Sequence, residues 1–473
     1  MFYLYFIRKM YGFFSVWLYL ASSVVFLSCG NKQDDAPVRL TEITLSADTL
    51  FAASTGFNTV TVSVKDKSLL GELHVKKQDS RGRMLHQIVP ADAFEDHFLF
   101  EYTPLENDDE QFNFIFEAQA KDGTVIATAI LKADTREGIL LDGLTMISRV
   151  TGKSLNGEGL PNPNRTDENY NVGGTDLGIV WDMENGMYGM FFGDTYGRDF
   201  TPQPNGGPSG GYWRSNVLAF SHDTDLDDGL AFSGMATDGN GAAREIAYSA
   251  KNTSGNGDYT SIPTAAIRAG GMDYLHYMNI RTWDGWLTNF SSLYASADNG
   301  STWQRCENVR FLSDSNFGQV CYARKDGYVY MIGTPPGRAG SGKLARIPEN
   351  EMLNMEAYEY WNEQQGWIKT ESAASVIFEG TVGEASLMYH KGFNRWIVTY
   401  FDSEKYALMY RDAAEITGVW TKEKTLATGV SYPQLYGSFM HPAKDSDARL
   451  YFLMSQWKPY NVFLMRADMK LKE

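Results

Sequence analysis

Acidic side chains stand beside short apolar runs in the second half of the chain. Asp176 opens one such run, Asp194 ends the next, and Glu384 opens another much later. Two carboxyl groups on either side of a glycosidic bond can cleave it, because one protonates the leaving oxygen while the other activates water or attacks the sugar. Apolar surroundings or a like charge keep the acid protonated near neutral pH. These three residues are therefore the catalytic candidates.

Polar and aromatic residues beside the same runs could hold a sugar. Aromatic rings with a polar edge suit the apolar faces of sugars, and side chains with several donors or acceptors suit hydroxyl groups. Each residue could equally cap a strand or anchor a loop. The predicted substrate-binding residues are Arg214, Asn216, Arg281, Trp213, Tyr196, Asp402, Gln434 and Trp457.

The elements that must position these residues form a loose internal repeat over residues 139–473. Each copy has a first strand, an aromatic-rich second strand and an apolar third strand, and the third strands at 406–413 and 461–468 nearly match. Five such units predict an all-β fold with a five-bladed β-propeller, and 139–149 is expected to close the ring. An ordinary β-sandwich is the alternative. The first strands begin at Thr175, Thr264, Gly318, Gly383 and Gln434.

Propeller geometry predicts where the candidates meet. The first strand of each blade lies nearest the central channel. The starts of first strands, the ends of second strands and the starts of third strands therefore open on one face. Asp176 and Glu384 start first strands, whereas Asp194 and Asp402 end second strands. Convergent polar groups of this kind line concave binding sites.

One turn has a structural explanation. The segment 296–303 matches the S-x-D-x-G-x-T-W pattern of the Asp-box found in sialidase-like propellers. Asn299 and Gly300 suit a tight hairpin because both tolerate positive φ. Asp298 can bind the amides of the turn, and Trp303 can pack between strands. The box supports the propeller and carries no catalytic residue.

Residues 37–136 read as a second all-β unit. Alternating apolar and polar residues recur in short runs, and about seven strands in about a hundred residues fit an immunoglobulin-like sandwich. We expect it to be a stalk that holds the propeller off a membrane. A carbohydrate-binding module is the alternative role.

The first residues form a targeting segment. Arg8 and Lys9 precede an apolar run that ends in a lipobox, Phe26 to Gly30. Residues 1–28 are therefore predicted to be a lipoprotein signal peptide, and 29–36 a linker lipidated at Cys29. A lysine followed by acids after Cys29 favours export to the surface of the outer membrane. An uncleaved transmembrane anchor is the alternative.

Composition excludes some functions. A formal charge of -16 over 473 residues argues against nucleic-acid binding. Cys306 and Cys321 could form a bridge or remain free thiols, and they lack metal-site spacing. No cofactor is predicted, although the channel leaves room for a structural ion near His276 or His441. The segment 337–343 only faintly resembles a phosphate loop, and a flexible hairpin is expected.

Three motifs carry a resemblance to a known family. They are Gly173 to Gly178, Phe192 to Thr195, and Trp213 to Ala219. Together they resemble the bacterial propeller family long catalogued as a domain of unknown function, some of whose members are endo-D-arabinanases. The resemblance covers roughly 145–470. It implies a five-bladed propeller and attack on D-arabinofuranosyl linkages by the carboxylates of Asp176 and Asp194.

Three functions therefore remain open. The leading one is a surface glycoside hydrolase that acts on an arabinan-like furanoside polysaccharide. The second is a non-catalytic glycan-binding lipoprotein of a polysaccharide-uptake system. The third is a sialidase-like enzyme whose arginines, Arg214, Arg268 and Arg281, would hold a carboxylate. The sugar, the linkage, the endo or exo mode and the stereochemical outcome are left undetermined.

Overall fold

The computed structural model describes residues 41–52, 58–94, 96–105, 107–207, 210–445 and 447–472. The predicted signal peptide, Cys29 and the lipidated linker lie outside the described residues, so these features stay predictions. Among the described residues, no helix has the length and apolar character needed to span a bilayer.

The N-terminal unit consists of two sheets around one core. Its strands are β1 (Ile43–Leu45), β2 (Thr49–Phe51), β3 (Asn58–Val64), β4 (Glu72–Asp79), β5 (Gly82–Pro90), β6 (Phe98–Tyr102), β7 (Gln111–Gln119) and β8 (Val125–Asp134). One sheet has the order β1-β3-β6 and the other β2-β8-β7-β4-β5. Val62 of β3 and Phe116 of β7 lie in their shared core. Period-two alternation buries one face of each strand and explains the runs seen in the sequence.

The rest of the chain is a series of antiparallel sheets. The strands are β9 (Gly138–Arg149), β10 (Leu177–Asp182), β11 (Tyr188–Phe192), β12 (Val217–Ser221), β13 (Gly234–Met235), β14 (Thr260–Ala269), β15 (Met272–Thr282), β16 (Leu287–Ser296), β17 (Gln304–Leu312), β18 (Gln319–Lys325), β19 (Tyr328–Thr334), β20 (Gly340–Pro348), β21 (Glu359–Asn362), β22 (Gly366–Ile368), β23 (Val376–His390), β24 (Arg395–Asp402), β25 (Ala407–Ala413), β26 (Lys424–Thr428), β27 (Leu435–Met440), β28 (Arg449–Gln456) and β29 (Asn461–Lys472). One α-helical turn, α1 (Thr166–Asn169), precedes β10. Short 3-10 turns lie at Lys67–Leu69, Ala91–Ala93, Asp284–Trp286, Glu349–Glu351, Met355–Ala357, Glu371–Ala373 and Pro442–Lys444.

The innermost strands of these sheets form a closed ring. β10, β14, β18, β23 and β27 contact one another in this order, and β27 returns to β10. The sheets run outward as β10-β11-β12-β13, β14-β15-β16-β17, β18-β19-β20 with β21 and β22, β23-β24-β25-β26, and β27-β28-β29-β9. β20 also pairs with β23, so the third and fourth sheets are joined at one edge.

Strand pairing joins the two ends of the ring. The strand expected at 139–149 is β9, which pairs with β29 and so joins the two ends of the ring. This closure is confirmed. β26, the outer strand of the fourth sheet, begins at Lys424 and runs to Thr428. Thr421 lies before it, where its hydroxyl binds Asp412.

Apolar side chains fill the spaces between neighbouring sheets. Phe311 of β17 and Val329 of β19 lie in one such cluster. Leu450 to Ser455 of β28 are buried without a break. A strand covered on both faces needs apolar residues at every position, which is why period-two alternation is weak in this half of the sequence.

The Asp-box turn is structural, as predicted. Asn299 and Gly300 have positive φ of 55° and 78°. Asp298 accepts hydrogen bonds from the backbone N and the hydroxyl of Thr302. Trp303 packs edge-on against Trp181. Outside this turn, Cys306 and Cys321 are both free thiols, so the bridge alternative does not occur in the structure.

Candidate active site

A cavity of about 320 Å³ opens at the end of the channel where the inner strands begin. Asp176, Asp194 and Glu384 all line it, together with Arg338 and Tyr436. The three candidates come from parts of the chain that are far apart in sequence. The structure therefore brings the predicted catalytic set into one concave site.

Bulges aim the inner strands at this cavity. Pairing registers shift at Leu177/Ile179 in β10, at Val382/Ala385 in β23 and at Tyr436/Ser438 in β27. A bulge bends its strand and redirects the neighbouring side chain. In β10 the shift needs a left-handed residue, Gly178, whose φ is 108°. A Cβ at Gly178 would press on Leu453. The requirement for glycine at position 178 of this motif is therefore steric.

Asp176 is held as a neutral acid. Its Oδ2 accepts a hydrogen bond from the Tyr436 hydroxyl at 2.9 Å, and its Oδ1 is buried without a partner among the described residues. Burial, reinforced by the charge of Asp194, raises the pKa of Asp176 to about 8. Desolvation disfavours the charged carboxylate, so this group carries a proton at neutral pH.

Asp194 lies in a more polar setting. It follows β11 after Gly193, and its Oδ1 accepts hydrogen bonds from Trp213 Nε1 and Thr260 Oγ1, each at 2.7 Å. Burial raises its pKa to about 6, and the hydrogen bonds from Thr260 and Trp213 oppose that rise. Asp194 is therefore mostly ionised at neutral pH. Two carboxyl groups with separated pKa values can divide the acid and base roles.

Gly193 brings the two aspartates together. A Cβ at Gly193 would collide with Oδ1 of Asp176 and would lie 3.0 Å from Leu177 Cδ1. Any side chain at this position would push the Asp176 carboxyl away. The glycine in the Phe192 to Thr195 motif is thus required by the site itself.

Glu384 reaches the cavity as half of an ion pair. Arg338 Nε lies 3.1 and 3.0 Å from the two carboxylate oxygens of Glu384, and Nη2 also donates to Oε1. The guanidinium packs about 5.0 Å from the ring centres of Trp286 and Phe401. A carboxylate engaged on both oxygens by a guanidinium is a poor proton donor. Glu384 is therefore placed to orient groups in the cavity.

Sequence reasoning missed Arg338. The segment 337–343 was expected to be a flexible hairpin, yet its arginine lines the cavity. A usable signal was present, because Arg338 follows a second strand, β19, just as Asp194 follows β11. Tyr436 was also missed as a site residue, as was Thr260. Tyr436 lies inside a predicted first strand, whereas Thr260 precedes the predicted strand start at Thr264, and β14 in fact begins at Thr260.

Aromatic candidates divide between the cavity and its rim. Trp457 lines the cavity and packs edge-on against Tyr460. Trp213 donates to Asp194, and Tyr196 stacks on it with ring centres 6.4 Å apart and planes 5° apart. Trp213 thus supports a carboxylate, and Tyr196 holds the Trp213 ring in place.

Other predicted binding residues serve the scaffold. The Arg214 guanidinium is buried and donates to the carbonyls of Ala243 and Asn171. Asn216 is buried and donates to the carbonyl of Ser261. These two residues pin loops, and their predicted contact with substrate stays a prediction.

Three polar candidates are absent from the cavity lining. Asp402 Oδ1 accepts from Thr381 and from the backbone N of Glu404, which makes it a turn-forming residue. Arg281, near the end of β15, is half-buried and does not line the cavity. Gln434 has a left-handed backbone with φ 61°, and its buried Oε1 has no partner in the described part of the chain.

The three arginines of the sialidase-like hypothesis do not meet. Arg268 lines a different cavity, at the far end of the channel, where it binds Asp273. Arg214 is committed to backbone carbonyls. Since Arg281 lies outside both cavities, these three arginines form no cluster.

The channel histidines are neutral. Burial lowers the pKa of His276 and of His441 to about 3. His276 Nδ1 lies 2.8 Å from the Tyr322 hydroxyl, and neither ring lines the cavity. In the described ranges, no group of three or more His, Cys, Asp or Glu is arranged to hold a metal ion.

Comparison with known proteins places the chain in a family. Residues 161–466 match the family described as Domain of unknown function (DUF4185), and the chain belongs to this family. This confirms the resemblance to a family of unknown function, and the arabinanase activity that the resemblance implies stays a prediction.

Individual proteins are similar over comparable lengths. The chain is 30% identical over 312 residues to notoamide biosynthesis cluster protein J of Aspergillus sp. (strain MF297-2), covering 61% of this chain and 80% of that protein. Zg3597, a family 117 glycoside hydrolase produced by the marine bacterium Zobellia galactanivorans, is similar at a TM-score of 0.40 and 13% identity, over 70% of this chain and 90% of that chain. The GH43_1 enzyme from Xanthomonas citri, complexed with xylotriose, has a TM-score of 0.37 and 12% identity, over 62% and 87%.

Proposed function

We propose that the ring is a five-bladed β-propeller and that its cavity hydrolyses glycosidic bonds. The observation that carries the proposal is the pair Asp176 and Asp194, two buried carboxyl groups in one cavity with raised and unequal pKa values. Carboxyl groups whose surroundings separate their pKa values are typical of acid and base pairs.

The chemistry divides between the two aspartates. Asp176 gives its proton to the glycosidic oxygen as the bond to the sugar breaks, and Tyr436 stabilises the carboxylate that remains. Asp194 either accepts a proton from attacking water or attacks the anomeric carbon itself. Between about pH 6 and 8 Asp194 is ionised and Asp176 is protonated, which is the combination that both routes need.

The cavity walls suit a sugar. Trp283, Trp286 and Trp457 line it, and flat apolar rings pack against the carbon faces of a glycan. Arg338 and Gln319 add polar groups among them. The resemblance of the three motifs to a family with endo-D-arabinanases favours a furanoside polymer of arabinan type as the substrate.

The remaining chain fits a surface enzyme. We propose that it is a lipoprotein of the outer membrane, anchored at Cys29 and exposed to the exterior. The N-terminal two-sheet unit would be an immunoglobulin-like spacer that holds the cavity away from the membrane. Docking contacts such as that between Glu110 and the backbone N of Thr425 would fix the two units together.

The test is product release from a panel of plant L-arabinans, mycobacterial-type D-arabinan and other furanoside polymers. The soluble chain is compared with Asp176→Asn and Asp194→Asn. Asp182→Asn is the matched control, because Asp182 is exposed at the other end of β10. We expect oligosaccharides from one polymer, lost in both site variants and retained in the control.

A different result would favour a different function. If no polymer yields products while one binds tightly, and binding survives both substitutions, the catalytic assignment is wrong. The chain would then be a non-catalytic glycan-binding lipoprotein of a polysaccharide-uptake system. Binding that depends on Trp457 would support this second function, because it needs the aromatic walls and no acid and base pair.

A further inference from the structure

A chain of hydrogen bonds leads from Asp194 out of the cavity. Asp194 Oδ1 accepts from the Thr260 hydroxyl at 2.7 Å, and the hydroxyl oxygens of Thr260 and Ser215 lie 2.9 Å apart. Lys251 Nζ donates to Ser215 Oγ at 2.6 Å. Asp194, Thr260 and Ser215 are buried, whereas the Lys251 side chain is 24% exposed. A buried carboxylate is thus linked to an ammonium group near the surface.

The donors of this chain all point toward Asp194. An ammonium group can only donate, so Ser215 accepts from Lys251 and keeps its own proton for Thr260. Thr260 then gives its proton to Asp194, which can only accept when ionised. Each hydroxyl therefore donates once and accepts once. Hydrogen bonds aligned in this way stabilise the charged form of the carboxyl at their end.

Lys251 is held in place from several sides. The Glu245 carboxylate binds Lys251 Nζ and also accepts from the backbone N of Ser249 at 3.2 Å. Lys251 Nζ lies 5.1 Å from the ring centre of Trp213. The Lys251 backbone has φ 57°, a conformation that residues other than glycine adopt rarely. Such strain is kept where the surrounding structure requires one placement of the side chain.

We propose that Lys251, acting through Ser215 and Thr260, is a positioning residue that keeps Asp194 ionised and aimed into the cavity. This inference rests on the proposed function, in which Asp194 is the base or the nucleophile. Lys251 itself lies in a loop outside the cavity and acts on the site through the two hydroxyl groups.

Other groups also act on the charge of Asp194. Glu245 opposes its ionisation by like charge, and the charge of Asp194 in turn acts on Asp176. Nearby phenols stay neutral because burial raises the pKa of each, and they are Tyr196, Tyr259 and Tyr460. Among these groups Lys251 is the cation that favours the carboxylate form of Asp194.

The experiment titrates Asp194 directly. Carboxyl ¹³C chemical shifts are followed against pH in protein labelled at aspartate, and the Asp194 signal is identified by its loss in Asp194→Asn. The variants are Lys251→Met, Lys251→Arg and Glu245→Gln. Lys391→Met is the matched control for the loss of one positive charge, because Lys391 lines the far cavity and its side chain is 70% exposed.

The expected shifts have opposite signs. Lys251→Met raises the titration midpoint of Asp194 by roughly half to one pH unit, Lys251→Arg restores it, and Glu245→Gln lowers it. Lys391→Met leaves it in place. A general loosening of the fold cannot produce shifts in both directions. The acid limb of the rate profile is expected to move with the midpoint in each variant.

The outcomes separate the two proposals. A midpoint that does not move in Lys251→Met overturns the role of Lys251, even if activity falls, and leaves the hydrolase standing. A chain that cleaves no polymer, but whose midpoint moves as described, overturns the proposed function and not the link between Lys251 and Asp194.

Discussion

The two ends of the channel hold acidic residues in opposite electrostatic settings. Where the inner strands begin, Asp176 and Asp194 are bound by the neutral donors Tyr436, Thr260 and Trp213. Where the same strands end, a cavity of about 220 Å³ contains Glu184 with Arg268 and Arg324. Arg324 donates to Glu184 and holds the pKa of that carboxyl below its usual range.

The difference between the two ends of the channel indicates which end carries the reactive carboxyl groups. Pairing with arginine removes the reactivity of a carboxylate and leaves structural support. Burying a carboxyl group with neutral partners is costly, and proteins keep such groups mainly where a perturbed pKa is useful. One ring of strands thus carries a reactive end and a structural end.

The largest expected effect tests the reactive end. Asp176→Asn or Asp194→Asn removes an acid or a base, so kcat/KM on the cleaved polymer should fall about 10²–10⁴-fold. Glu184→Gln at the structural end should change kcat/KM by less than about twofold, since surface pairs contribute little. A loss of kcat/KM in Glu184→Gln as large as that in the two aspartate variants would contradict this difference between the two ends.

The Arg338 and Glu384 pair is the exception at the reactive end. Glu384→Gln leaves the Arg338 guanidinium without its charged partner, so the free energy of unfolding should drop by about 1–3 kcal/mol. Urea denaturation at pH 7 measures the drop. Glu379→Gln is the control, because Glu379 is exposed and its carboxylate accepts a hydrogen bond from the Ser341 hydroxyl. Equal stability of the two variants would show that the pair is not structural.

Gly193→Ala tests the packing between the two aspartates. The new Cβ would collide with Asp176 Oδ1. We expect overpacking to cost about 1–2 kcal/mol of stability and the displaced carboxyl to reduce kcat. Gly234→Ala in β13 is the control, because a Cβ there meets no atom within 4 Å. An unchanged kcat in Gly193→Ala would mean that the position of Asp176 is not critical.

The last prediction concerns the dependence of stability on pH. In the folded state the pKa of Asp176 is raised from 3.8 to about 8, so the folded protein binds more protons than the unfolded chain over that range. The contribution of Asp176 to the free energy of unfolding is fully present below about pH 4 and is lost as the pH rises toward 8. Asp176→Asn lacks this dependence.

Between pH 5 and 8 the unmodified chain should therefore lose more unfolding free energy than Asp176→Asn, by roughly 3–4 kcal/mol. Urea denaturation at the two pH values compares them, with Asp182→Asn as the control at the exposed end of β10. Parallel losses in all three proteins would mean that Asp176 is not a buried neutral acid.

Much of the site could be predicted from the chain. Asp176, Asp194 and Glu384 were recognisable because strand boundaries are marked by glycine and by changes in hydrophobic pattern. The same pattern did not place Arg214 and Asn216 in the cavity wall. Their motif begins a third strand, but their side chains turn to backbone carbonyls and away from the cavity. Side-chain direction at a loop depends on partners that are distant in sequence.

The sequence by itself determined the all-β character, the recurrence of the sheets and the acidic residues at their boundaries. These depend on local pattern and turn chemistry, which a short window of residues contains. Only the tertiary structure decided which acids are left without a cation, that Arg338 neutralises Glu384, and that Lys251 is linked to Asp194. Burial and charge pairing arise from contacts between distant segments, so they exist only once the ring has closed.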